Sequence, residues 1–214
     1  MKKYLLMMMA AVTMMTFIAC GDDNKEDDEP VVTTDTRILS VVPNKTLSEI
    51  KQHMPIYDGT NPPVVEGVFC MGPTLGLVYD SYYGWDKEPE WSANYIEFTK
   101  QNANDKTLFF RESNTSGSFV GSGTGAYISG EGKNFTVFLS TKNTEDGGAI
   151  TYTKATVISG TLTDKGISKL RYAFVITEKK GDPNDEEVMK VGVVRVIKDN
   201  DELSEAVSSF VYSR

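Results

Sequence analysis

The chain is poor in the residues that most enzyme chemistry needs. It has one histidine, His53, and two cysteines, Cys20 and Cys70, in 214 residues. One imidazole and one spare thiol cannot assemble a zinc site without further ligands, so no metal or other cofactor is expected. There is no G-x-S-x-G, which removes the nucleophile elbow of serine hydrolases. The glycine-rich run 117–125 has no lysine, and no helical pattern comes after it, so it is not a phosphate-binding loop. Basic residues are also scarce: 22 Lys and Arg stand against 30 Asp and Glu, a formal net charge of -8. No basic stripe interrupts this acidity, so nucleic acid is not an expected partner.

Long apolar runs are missing except at the start. Lys2 and Lys3 precede an apolar, Met-rich segment from Tyr4 to Ala19. That segment is shorter than the roughly 20 residues of a membrane-spanning helix and suits the core of an export signal. It ends in Phe17-Ile18-Ala19-Cys20. These four residues resemble the lipobox of bacterial lipoproteins, with Phe17 standing where Leu is usual. The resemblance implies a signal peptide over 1–19 and lipidation of Cys20, the acyl chains then anchoring the protein to a membrane. Six of the ten residues from Gly21 to Pro30 are acidic. Such a run repels itself and, together with residues 31–37, reads as a flexible acidic tether over 20–37. A lipidated cysteine with acidic residues directly after it resembles the surface-export signal of Bacteroidetes lipoproteins. That implies an outer-membrane lipoprotein facing the cell surface; a plain acidic linker facing the periplasm is the alternative.

The remainder, 38–214, is expected to form a single β domain. Ile38, Val41 and Val42 suggest a first short strand. Thr46-Leu47-Ser48-Glu49 matches a capping box before a short helix that Pro55 ends. From Val64 the text alternates with period two, and strands are expected near 64–70, 75–83, 93–99, 106–112, 117–129, 134–141, 149–161, 167–178 and 187–198. The clearest case sets Leu170, Tyr172, Phe174 and Ile176 against Arg171, Ala173, Val175 and Thr177. Turn-forming clusters separate the runs, so consecutive strands should pair as an antiparallel meander. Leu203, Ala206 and Val207 fit one face of a closing helix over 201–209. A meander of this length must hide its edges, by closing into a barrel or by stacking two sheets as a β-sandwich.

Gly67-Val68-Phe69 opens the first long strand after a short helix, and Arg195 lies late in the last strand before the expected closing helix. This arrangement resembles the lipocalin plan, with Phe69 standing where that family has Trp. It is closest to the loose group of lipocalin-like lipoproteins of Bacteroidetes. The resemblance implies an all-β, lipocalin-like barrel flanked by short N- and C-terminal helices.

Four aromatic residues are the candidate ligand-binding set: Tyr82, Tyr83, Trp85 and Trp91. They lie in a segment that also carries Asp80, Asp86, Glu88 and Glu90. Ring faces beside carboxylates suit sugars or cations; packing of the same rings into the core is the alternative. Gly121, Gly123 and Gly125 should share one strand face where other groups approach closely. Cys70 is expected to be an unreactive, buried thiol. Asp182-Pro183-Asn184-Asp185-Glu186-Glu187 has the composition of a calcium loop but lacks its glycine, and reads as a solvated turn. The expectation is a lipid-anchored, non-enzymatic envelope protein that binds a glycan or small hydrophobic molecule. An accessory subunit docking on another envelope protein comes second, and a glycan-active enzyme third.

Overall fold

The computed structural model describes residues 35–84, 89–115 and 119–210. Their regular elements are helices α1 (Thr36–Val41) and α2 (Asn44–Ile50) and strands β1 (Thr60–Asn61), β2 (Gly67–Asp80), β3 (Glu90–Asn102), β4 (Thr107–Asn114), β5 (Phe119–Glu131), β6 (Asn134–Glu145), β7 (Ile150–Thr163), β8 (Gly166–Lys180), β9 (Val194–Asp199) and β10 (Leu203–Val207). All ten strands belong to one sheet, mostly antiparallel, rather than to two stacked sheets. Strands β2 to β8 pair in sequence order. The last position is shared: β9 and then β10 each pair with both β2 and β8, so the hydrogen bonding runs in a ring. The ring is not a regular barrel. Its closing position is two short strands, β1 adds a parallel pairing on β5, and register shifts interrupt β2, β5 and β7.

Alternation along the strands divides the side chains into an inner and an outer set. Inner residues such as Phe69, Phe98, Phe110, Phe135, Val137 and Ile158 form one buried cluster. A second cluster lies outside the ring, where Ile38, Val42, Leu47 and Ile50 of the helical segment cover Phe138 and Val157. Because both faces of β6 to β8 are covered there, outward Val157, Ala173 and Val175 are as buried as core residues.

Several local expectations are corrected. Residues 38–41 are helical, not extended, and Val42 is the extended residue that ends the helix. The Asp35 side chain accepts from the Arg37 backbone N–H and starts α1 inside the stretch read as tether. Helix α2 begins after Pro43 with no side-chain cap, so the Thr46–Glu49 box is not formed; Glu49 instead accepts a 2.9 Å hydrogen bond from the Tyr79 hydroxyl. The expected strands 64–70 and 75–83 are one 14-residue strand with a bulge between Met71 and Thr74. No C-terminal helix forms over 201–209. Leu203–Val207 is strand β10, because hydrogen-bonding partners on both sides outweigh a helical spacing that five residues cannot exploit. The expected strand 187–198 begins only at Val194, and the residues before it form a loop over one end of the ring.

Candidate functional site

The inner residues change character part-way along the ring. On β4 the inward sequence runs Leu108, Phe110, then Glu112, Asn114. On β6 it runs Phe135, Val137, Leu139, then Thr141, Asn143, Glu145. On β7, antiparallel to β6, Tyr152 and Lys154 pair with Asn143 and Thr141. One half of the interior is therefore packed with aromatic and aliphatic side chains, and the other half is polar. The polar half encloses a cavity of about 350 Å³, within the size range of small-molecule sites.

A buried network separates the two halves. Glu112, fully buried, accepts from Lys154 Nζ at 2.8 Å and Asn143 Nδ2 at 2.8 Å on Oε1, and from the Tyr172 hydroxyl at 2.5 Å on Oε2. Lys154 Nζ also donates to the Tyr172 oxygen at 3.1 Å, and Thr141 donates to Asn143 Oδ1 at 3.0 Å. Burial first, and the Glu112 charge second, push the Tyr172 phenol well above its ordinary range, so it stays a donor. Lys154 and Tyr172 line the cavity, while Glu112 lies behind them. An ion pair out of water is costly unless its hydrogen bonds are complete. Here both Glu112 oxygens are engaged.

Aromatic and charged groups form the walls. Trp91 lines the cavity, with the Arg195 guanidinium 5.2 Å from its ring centre. Arg195 is itself held by Asp80 at 2.8 Å. Tyr152 donates to Glu145 Oε1 at 2.8 Å. Burial, reinforced by Glu187 and Asp182 against the opposing effects of Tyr152 and Lys154, raises the Glu145 carboxyl above its ordinary range.

The loop over this end is held by an internal cation. Lys179 Nζ, on a side chain 4% exposed, donates to Asp182 Oδ2 (2.9 Å), Asp185 Oδ1 (2.6 Å) and the Val188 carbonyl (2.9 Å). The Lys179 hydrogen bond, with backbone donors at Val188 and Glu186, takes Asp182 down to about 2. The acidic segment 182–187 is thus not merely a solvated turn: two of its carboxylates enclose a lysine. Val188 and Met189 beyond it pack on Tyr152 and Ile176 and roof the cavity.

The sequence candidates are distributed unevenly about this site. Trp91 is on its wall. Tyr83 packs beside it, under the Arg195 guanidinium at 5.6 Å and against the Val188–Met189 roof. Tyr82 is 61% exposed and meets Tyr83 edge-on, with the Lys190 ammonium 5.0 Å from its ring. Trp85 and Cys20 lie outside the described residues. Arg195 stands by Asp80, at the opposite end of β2 from Phe69, so the Arg-over-first-aromatic contact implied by the lipocalin resemblance is replaced by Arg195 over Trp91 and Tyr83. Cys70 is free and only half-buried, its thiol raised mainly by burial. His53 stacks on Tyr79 with ring centres 3.5 Å apart, away from the cavity. Among the described residues no group of His, Cys, Asp and Glu is arranged to hold a metal ion.

Sequence reasoning missed Glu112, Lys154, Tyr172, Glu145 and Tyr152. The signal was available on β6, where inward positions turn from Phe135-Val137-Leu139 to Thr141-Asn143-Glu145 while the alternation continues. Comparison with known protein families, with curated proteins and with solved structures finds no match to this chain.

Proposed function

We propose that this chain is a lipid-anchored protein of the bacterial outer membrane, facing the cell surface, that binds a small polar ligand or sugar unit in the open half of a lipocalin-like barrel. The anchor and address rest on the Ala19-Cys20 junction and the acidic run after it. The binding role rests on one observation: the ring interior is packed at one end and left as a cavity of about 350 Å³ at the other, over a floor of ionised and hydroxyl groups. A cavity lined by polar groups is one that holds water or a polar ligand, whereas empty cavities are apolar. This one has Asn94, Asn114, Lys154 and Arg195 beside the faces of Trp91 and Phe174, the mixture of rings and fixed donors that orients a polar ligand. The role is read as binding rather than catalysis, since Glu112, the fully buried carboxylate behind the cavity, is closed in by three donors.

Native mass spectrometry of the protein from its own host tests this. Added mass that is lost on denaturation, and absent from Trp91→Ala, is the expected result. A bare protein at high concentration that also fails to bind any member of a sugar and small-molecule library would overturn it. A second reading, docking on another envelope protein, draws on Tyr82 and Val191, exposed at 61% and 44% on either side of Lys190. It predicts co-purification of a partner at fixed stoichiometry, abolished by Tyr82→Asp.

A further inference from the structure

The cavity already shows how it accommodates an ammonium group. Lys154 Nζ lies 5.4 Å from the Tyr172 ring centre and 5.1 Å from that of Phe174, with Glu112 as its carboxylate. Under the neighbouring loop, Lys179 Nζ sits between two carboxylates and a carbonyl. The cavity wall repeats the same ingredients a third time, in Glu145, Tyr152 and Glu187, with no lysine or arginine ion-paired to them among the described residues.

The charges on the wall point the same way. Its two cations are already closed into ion pairs by carboxylates behind them, Lys154 by Glu112 and Arg195 by Asp80. Its two glutamates, Glu145 and Glu187, have no ion-pair partner among the described residues. An anionic ligand would have to compete with Glu112 and Asp80 for these two cations. A cationic ligand adds a partner to a group that lacks one, and ring faces favour it.

We propose that the cavity takes an organic ammonium, its charged group seated by Glu145, Glu187 and the ring of Tyr152 and its apolar part against Trp91 and Phe174. This rests on reading the cavity as a binding site. The Glu145 carboxyl is raised chiefly by burial, with Tyr152 and Lys154 opposing and Glu187 adding to the rise, and an ammonium beside it would favour its charged form.

The test uses three probes of one shape and different charge: cyclohexylmethylammonium, cyclohexylmethanol and cyclohexanecarboxylate. Each is titrated into the full chain in detergent at neutral pH, with binding read by calorimetry. The ammonium should bind about tenfold or more tighter than the alcohol, the scale of one charge-assisted hydrogen bond. Glu145→Gln, verified as folded by its thermal melt, should remove that advantage while leaving the alcohol's affinity unchanged. If the alcohol or the carboxylate binds as well as the ammonium, or if Glu145→Gln leaves the ammonium's advantage intact, the ammonium proposal falls and the cavity remains a binding site. If no probe binds and native mass spectrometry of the host-derived protein also shows no added mass, the binding reading itself falls.

Discussion

Gly121 is the cross-strand partner of Glu112. A Cβ built on Gly121 would lie 2.7 Å from Glu112 Oε1 and 2.0 Å from Asn143 Nδ2. The glycine is therefore what leaves room for the Glu112–Asn143 hydrogen bond at the cavity floor. Gly121→Ala should destabilise the fold by about 1–3 kcal/mol, the usual cost of overpacking a filled interior. Adding Asn143→Ala should return part of that loss, because it removes the nearest atom. Urea unfolding of the two single variants and the double variant measures the coupling; simple additivity would disconnect Gly121 from the network.

The Glu112–Lys154 pair makes an asymmetric prediction. Lys154→Met leaves Glu112 fully buried with only its neutral donors, and should cost about 3–5 kcal/mol. Glu112→Leu combined with Lys154→Met should be much closer to the wild type, since neither charge then remains to be desolvated. If the double variant proves as unstable as the single one, the pair is held by shape rather than by charge.

How much of this was legible in the sequence differs by level. The strands from Glu90 to Lys180 could be read because inner and outer residues alternate over long stretches, as in Leu170–Thr177. Reading failed where partners far along the chain decide the conformation. Leu203–Val207 carries a helical spacing but is captured between β2 and β8. Asp182 and Asp185 look like solvated or metal-binding acids until Lys179 is seen between them. The Tyr82–Trp91 segment stood out by composition, yet composition could not say that Trp91 faces the interior while Tyr82 faces water. Glu112, Lys154 and Tyr172 are separated by 18 to 60 residues, and only the ring closure brings them together.

Lys179 should control the roof. Lys179→Met removes three hydrogen bonds and leaves Asp182, 7% exposed, beside Asp185 with no cation. Like charges in a poorly hydrated place repel, so the loop 181–193 should open. The expected signs are faster amide exchange at Glu186 and Val188, whose N–H groups bond to Asp182, and new proteolytic cuts within the loop. Exchange in β6 and β7 should change little. Unchanged protection at Val188 would show that its packing on Tyr152 and Ile176 holds the roof by itself.

Asp199 should give the fold a dependence on pH. Its carboxyl is fully buried at the junction of β9 and β10, where Oδ2 accepts from the Gly72 N–H at 2.9 Å and the Ser204 hydroxyl at 3.0 Å, while Oδ1 has no hydrogen-bond partner among the described residues. Burial, aided by nearby Asp201 and offset in part by the Ser204 and Gly72 donors, raises it to about 6. An ordinary aspartate titrates near 4. The folded state thus binds a proton that the unfolded chain releases between these values. The resulting stabilisation is complete below about pH 4, declines as pH rises from about 4 to 6, and is absent above that. The change is of the order of 3 kcal/mol, since each unit of displacement is worth about 1.4. Asp199→Asn keeps an acceptor for Gly72 and Ser204 and supplies amide hydrogens on the side where Oδ1 is unpartnered. It should therefore equal the wild type near pH 4 and exceed it near pH 7.5. Denaturant melts of both proteins across that range isolate the effect of Asp199 and its neighbour Asp201, because the carboxylates away from this pair contribute equally to the two curves. Parallel curves would mean that Asp199 stays ionised in the fold throughout, with Gly72, Ser204 and water meeting its charge.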